Sequence, residues 1–194
     1  MSDKLTDRII DVPHLAKVFD ALRSGRHIGM SESTLYTALK SNFETFHALF
    51  AQLGFTLIHH PRDFFYFTDR TNFTEQSRRM ALFVFILIEY LADCGDAIED
   101  TLMSRSFHYA ELPHLSSERY RRMMSEAGVG DVAAVEQLVR TMERFGFVET
   151  RGGGTFLFKS PAYRFLDVCL ELASEQKDDK SAISTDESQE SSEE

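Results

Sequence analysis

Asp131 to Lys159 reads DVAAVEQLVRTMERFGFVETRGGGTFLFK, and this stretch decides the fold. Val132, Val135, Leu138, Val139, Met142 and Phe145 recur at helical spacing, which predicts one helix with a single apolar face. Asp131 is placed to cap that helix, its carboxylate accepting from backbone N–H groups that have no partner in the first turn. Gly146 supplies the left-handed residue that commonly ends a helix. Two short apolar runs follow, FVET and TFLF, separated by Arg151-Gly152-Gly153-Gly154, a segment suited to a hairpin turn.

The same plan occurs 92 residues earlier in Asn42 to Thr68, NFETFHALFAQLGFTLIHHPRDFFYFT. Phe43, Phe46, Phe50, Leu53, Gly54 and Phe55 fall on Val135, Leu138, Met142, Phe145, Gly146 and Phe147. After one extra residue, expected in the turn, Phe65 and Phe67 fall on Phe156 and Phe158. Repetition of a helix face, its terminal glycine and its hairpin is evidence about architecture before any motif is weighed. The expected fold is mainly α with small β-hairpin wings, arranged as tandem winged-helix domains. Residues 1–73 form the first domain, 74–173 the second with a C-terminal helix, and 174–194 a disordered acidic tail.

Around these two stretches the rest of the chain fills in. Asp11-Val12-Pro13 reads as a cap with proline in the first turn, followed by a stripe of Leu15, Val18, Phe19 and Leu22 that closes near Gly25. A loop through Gly29 leads to a short helix around Thr34 to Leu39, and Ser41-Asn42-Phe43-Glu44 has the form of a capping box. The second half starts near Thr74. Met80 to Leu91 is nearly all apolar, so this helix is expected to be covered all round, at a junction of domains or in a dimer. Residues 97–115 give only helical fragments. Ser117 to Ala127 reads as a helix ended by Gly128, and Ser160-Pro161 opens a last helix with Phe165, Leu166, Cys169 and Leu172 on one face.

The 194 residues, with 43% hydrophobic content and 17 phenylalanines, suffice for two small cores. Net charge is −10, and residues 174–194 hold eight acidic residues and two lysines, leaving −4 on the rest. That tail has no aromatic residue, a composition that favours disorder. Cys94 and Cys169 stand far apart in apolar helical contexts, against a disulfide framework or a cysteine zinc site. The longest apolar run is too short for a bilayer, which needs about 20 residues. With no signal-peptide pattern at the N-terminus, a cytoplasmic protein without membrane contact is expected.

Ala21 to Gly29, ALRSGRHIG, resembles the MukE family with its MksE relatives, small subunits of bacterial condensins. Phe64-Phe65-Tyr66 resembles the aromatic triplet that closes the family's first wing, and Leu138 to Phe147 its second recognition-type helix. Phe158 to Phe165, FKSPAYRF, resembles the segment that enters the family's last helix. The resemblance covers roughly residues 15–67 and 135–167 and favours the MksE branch. It implies a homodimeric, non-enzymatic subunit that binds a MukF- or MksF-like kleisin and, through it, a MukB- or MksB-like SMC ATPase. The implied role is chromosome organisation, condensation and segregation at the nucleoid, or defence against plasmids.

A winged helix also suggests DNA, because its third helix commonly enters the major groove. The second half's third helix carries Asp131, Glu136 and Glu143 against Arg140 and Arg144, and its wing offers Arg151. Arg119, Arg121 and Arg122 form the best basic cluster, with Arg78 and Arg79 next, and a solvated helix face is their simpler reading. Arg119, Arg121, Arg122, Arg140, Arg144 and Arg151 are the candidate DNA contacts, for weak binding without sequence preference. The alternative function is a dimeric winged-helix transcription regulator. For Arg23, Arg26 and His27 two readings stand: ties within the domain, or contacts to a second protomer or the kleisin. His59-His60 would point to opposite faces of a strand and not chelate together. Catalytic, cofactor and metal motifs are absent from the sequence; Asp93, Asp96, Glu99 and Asp100 read as a solvated helix end, and an enzyme is not expected.

The first wing gives the last expectation. Phe64-Phe65-Tyr66-Phe67 does not alternate, as a wing with one wet face would. If Phe65 and Phe67 point inward, Phe64 and Tyr66 form an apolar patch on the outer face. That makes them candidate anchors for a protein partner, with cover by the chain's own second half as the other reading.

Overall fold

The computed structural model describes residues 12–68 and 74–169. The Asp11 cap, Leu172 and the acidic tail lie outside the described residues. The N-terminal half begins with α1 (Leu15–Arg23), a two-residue strand β1 (Ile28–Gly29), α2 (Ser33–Ser41), α3 (Phe43–Gln52) and the hairpin β2 (Thr56–His60) and β3 (Phe64–Thr68). The C-terminal half has α4 (Glu75–Asp93), α5 (Ile98–Ser104), β4 (Phe107–His108), a 3-10 turn, α6 (Pro113–Ser116) and α7 (Glu118–Glu126). It closes with α8 (Val132–Arg144), the hairpin β5 (Val148–Arg151) and β6 (Thr155–Phe158), and a helix over residues 163–169.

Each hairpin is joined by a two-residue strand to make an antiparallel sheet of three, ordered β1-β3-β2 and β4-β6-β5. Ile28 pairs with Phe65 as Phe107 pairs with Phe156, so the two sheets match position for position. Strands of two residues, such as β1 and β4, are too short to show alternation. The turns are both three residues, 61–63 and 152–154. The extra residue of the first repeat therefore lies in β2, five residues against four in β5, and not in the turn.

The organising stretch folds as its pattern requires. Asp131 accepts from the Ala134 amide at 2.7 Å, and Val135, Leu138, Val139 and Met142 are buried. Val132, in the first turn, is 54% exposed, and Thr141 is buried, its hydroxyl donating to Gln137 O at 2.9 Å. Asp131→Ala should cost about 1 kcal/mol, read as a lower urea midpoint at unchanged slope. Gly146 ends α8 at φ +86° and Gly54 ends α3 at φ +83°.

Three expectations change. Pro13 precedes α1 instead of entering it: Leu15 N–H donates to Val12 O at 3.3 Å across a turn in which His14 has φ 60°, and His14 is the cap residue. No capping box forms at Ser41–Glu44, because α2 runs through Ser41 and leaves only Asn42 between the helices. The Asn42 amide donates back to Ala38 O at 3.0 Å. Within the described residues α4 is not covered all round. Met80, Phe83, Val84, Ile86, Leu87 and Leu91 are buried, but Phe85 is 45% exposed.

Buried side chains gather in two clusters. One spans Val12 to Phe65 around Phe46, Phe50 and Leu39; the other spans Met80 to Leu166 around Phe83, Phe156 and Phe158. The first wing is pinned to its helices at its turn. Asp63, at φ 63°, accepts from the Tyr36 hydroxyl, from Lys40 Nζ at 2.7 Å and from His59 Nε2 at 2.9 Å. These donors, Lys40 foremost, hold its carboxyl far below the usual range.

Candidate functional site: the joint between the two halves

The most constrained polar geometry lies where the Gly25–Gly29 loop meets the end of α8. A loop that must cross another backbone closely needs residues without Cβ at the points of contact. His27 N–H donates to Phe145 O at 2.9 Å. A Cβ on Gly146 would stand 2.5 Å from His27 O, and one on Gly25 would stand 2.9 Å from the Phe145 ring. Gly146 thus has a second task besides ending its helix. Gly54, its counterpart in the repeat, has nothing within 4 Å of the same point.

His27 is 6% exposed and bridges both halves. Its Nδ1 lies 3.3 Å from Phe145 O, and its Nε2 lies 2.6 Å from Arg164 Nη1. A carbonyl only accepts and a guanidinium only donates, so the ring is the neutral tautomer with its proton on Nδ1. Burial, aided by the Arg164 charge, lowers its pKa to about 3. The Arg164 guanidinium stacks on the Tyr66 ring at 4.1 Å, and its own pKa is lowered by burial. Beside it, His60 accepts from the Arg62 amide at Nδ1 and meets Asp167 at 3.0 Å through Nε2. Burial lowers the His60 pKa despite that carboxylate. Arg62 completes the seam, 2.7 Å from Glu99 and 4.1 Å from the Tyr163 ring centre.

Of the candidate partner residues, the fold brings His27, Phe64 and Tyr66 together here and leaves Arg23 and Arg26 at the edge. The outer aromatic patch is a correction. Phe64 and Tyr66 do point away from Phe65 and Phe67, but Phe64 is fully buried and Tyr66 half-buried. His60 stacks on Phe64 at 4.3 Å, and Gly29 and His27 cover the rest against Ser160 and Phe147. The face that the repeat identified as outward for the wing is an inner face of the whole chain. Arg26 pairs with Glu32 at 3.2 Å, and exposed Arg23 lies beside the Phe19 ring at 6.0 Å. His59 and His60 take opposite faces, stacked on Phe65 and Phe64.

The candidate DNA contacts are spread over α7, α8 and the second wing, and most are engaged within the chain. Arg119 pairs with Glu89 at 2.8 Å, Arg122 with Glu126 at 3.1 Å, Arg140 with Glu136 at 2.7 Å and Arg151 with Glu149 at 3.5 Å. Arg121 donates twice to Leu115 O, at 2.7 and 3.0 Å, and Arg144 lies 5.5 Å from the Phe145 ring centre. No group of three or more His, Cys, Asp or Glu side chains is placed to hold a metal among the described residues. Cys94 and Cys169 are free thiols. No described helix is long and apolar enough to cross a membrane.

Arg164, Asp167 and Glu99 were missed as site residues. Arg164 lies inside FKSPAYRF, but nothing local indicates that its partner is His27, 137 positions earlier.

Fold and joint together define a mainly helical protein with two small antiparallel sheets, its halves joined through a buried histidine and a half-buried arginine. A family model described as Condensin complex protein MksE matches residues 13–170. The chain belongs to this MksE family of condensin-complex proteins. The matched span holds every element described above, the ALRSGRHIG loop and its Phe145–Phe147 acceptor included. No curated protein matches the sequence.

Proposed function

We propose that this chain is a non-enzymatic accessory subunit of a bacterial SMC–kleisin complex, binding the kleisin and supporting chromosome organisation and segregation or plasmid defence. The observation that carries the reading is the family match over residues 13–170. The proposed architecture is two tandem winged-helix domains, residues 1–73 and 74–173. In its support, helix, short strand, two helices and hairpin follow in that order in the N-terminal half, and the C-terminal half repeats the frame with added helical turns. The proposed location is the nucleoid, reached through the SMC ATPase and not through strong DNA contacts of this subunit.

The transcription-regulator alternative needs a cationic surface free to meet phosphates. Arg119, Arg122, Arg140 and Arg151 already face carboxylates, and DNA binding through these four would have to break those pairs. The expected result is weak binding of duplex DNA that falls steeply with salt and leaves no footprint on a defined sequence. A protected operator at physiological salt would transfer the reading to the regulator.

The proposed subunit is a homodimer. Its support is the outer stripe of α4, where exposed Phe85 stands between half-buried Leu82 and Ile88. Light scattering should report about twice the 22.2 kDa chain mass. Phe85→Glu should halve that mass while leaving the melting of each chain's cores in place. A wild-type monomer at tens of micromolar, or a Phe85→Glu dimer, contradicts this interface.

A further inference from the structure

The two wings end in different edges. In each sheet the middle strand is paired on both sides, and β2 and β5 are outer strands. An antiparallel strand aims its N–H and C=O groups at its neighbour and away from it at alternate residues. In β5 the outward set is marked by Thr150, whose N–H donates to Glu143 Oε1 at 2.8 Å while its hydroxyl donates to the same oxygen at 2.6 Å. Glu143 of α8 thus caps the edge of the second wing, and Glu149 and Arg151 put charges along it.

β2 has the same register without those guards. Its turn closes with the Asp63 amide donating to His60 O at 2.9 Å and Asp63 at φ 63°, so His60 faces β3. His59, paired with Phe65 as Thr150 is with Phe156, then faces outward, and Leu57 does the same two residues earlier. Phe65 directs its own groups to the other side, onto Ile28 of β1. Among the described residues, no side chain or loop hydrogen-bonds the backbone of Leu57 or His59, and His59 meets Asp63 through its ring. Ala51 of α3 stands in the repeat where Glu143 stands in α8. β2 reads Thr-Leu-Ile-His-His and holds no Lys, Arg, Asp, Glu or Pro, the residues with which proteins blunt an exposed edge.

From this open edge we infer that β2 is a docking site for an extended peptide segment that adds to the sheet as a fourth strand. The inference rests on the kleisin-binding reading, and the segment is the kleisin's. The N–H and C=O groups of Leu57 and His59, two residues apart on one edge, are matched in register by another extended backbone. Half-buried Phe43 lies 5.9 Å from the His59 ring, and that ring stacks on Phe65 at 4.4 Å. An apolar side chain of the added strand, level with His59, extends this row. A second copy of the chain is the poorer occupant, because β2 offers five residues and a stable interface takes roughly 20–30 a side. A kleisin segment needs only the short edge, since the rest of its chain is free to make further contacts.

The test uses the full-length chain and the full-length kleisin encoded in the same genome. Hydrogen exchange at the Leu57 and His59 amides should be fast in the isolated chain and at least about tenfold slower in the complex. The Thr150 amide, already capped, should change less than about twofold. His59→Ala removes the ring and keeps the N–H, so kleisin binding should stay within about threefold of wild type. His59→Pro removes the same ring and also the outward N–H, a change that an edge strand tolerates. It should weaken binding at least about tenfold, with melting close to that of His59→Ala. If the proline variant melts far lower, the wild-type exchange decides alone. A complex that leaves both amides unprotected, or equal affinity for two folded variants, overturns the added strand and leaves the kleisin reading standing. Protection that grows with protein concentration in the absence of kleisin assigns the edge to a second copy and overturns it too. No complex with the wild-type chain overturns both readings.

Discussion

Gly146→Ala is expected to be far more damaging than Gly54→Ala, although the two glycines are equivalent in the repeat and share the same backbone conformation. Both sit near φ +85°, where an L-residue costs about 1–2 kcal/mol. For Gly54 that is the whole cost, since a Cβ there meets nothing within 4 Å. At Gly146 the new Cβ would lie 2.5 Å from the His27 carbonyl. A backbone atom cannot swing aside as a side-chain tip can, so the loop must retreat from α8. Retreat breaks the His27–Phe145 hydrogen bond, worth about 1 kcal/mol, and opens the packing behind it at a further cost of about 1–3 kcal/mol. In urea denaturation Gly146→Ala should lose about 3 kcal/mol or more, and Gly54→Ala no more than about 2 kcal/mol. Equal losses would mean that the halves do not depend on this contact.

Acid should weaken the fold well above the range where carboxylates titrate. His27 and His114 are buried neutral, with pKa values lowered by burial from 6.5 to about 3 and about 4. His114 lies in the core of the C-terminal half, stacked on Phe83 with its Nε2 2.7 Å from Phe83 O. A group whose folded pKa is depressed leaves the unfolded chain binding more protons. Stability is then full above about pH 6.5 and is lost as pH falls towards the folded values. Each histidine contributes about 1.4 kcal/mol per pH unit inside its window, so at pH 5 the two together should cost about 4 kcal/mol. Asp63 does not enter at that pH, because its depressed carboxyl matters only below the ordinary carboxylate value of 3.8. The check is the difference in unfolding free energy between pH 7.5 and pH 5. His27→Gln should shrink that difference by about 2 kcal/mol even though it weakens the joint at neutral pH. An unchanged difference would place the acid sensitivity elsewhere.

Some of this was legible in the sequence for local reasons. The α8 face, its Asp131 cap and its Gly146 end depend on residues within one or two turns, and the repeat carried the same plan to α3. The failures share a different cause. The register correctly set Phe64 and Tyr66 opposite Phe65 and Phe67, but what covers them comes from His27, Ser160 and Arg164, brought in by the docking of one half on the other. Serine–glutamate spacing at 41–44 looked like a capping box, and the lack of room between α2 and α3 removed it. ALRSGRHIG could be singled out as a motif, yet its two glycines gained their meaning only when Phe145 and Ser160 were found against them.

For the proposed kleisin-binding subunit, the decisive experiment is size-exclusion chromatography with light scattering. Full-length chain is mixed with the kleisin encoded in the same genome, with DNA omitted. One co-eluting species is expected, with a mass that exceeds that of the proposed dimer by the kleisin and that persists at physiological salt. Separate elution of the two proteins at tens of micromolar, with the chain instead protecting a defined DNA sequence by itself, would contradict it.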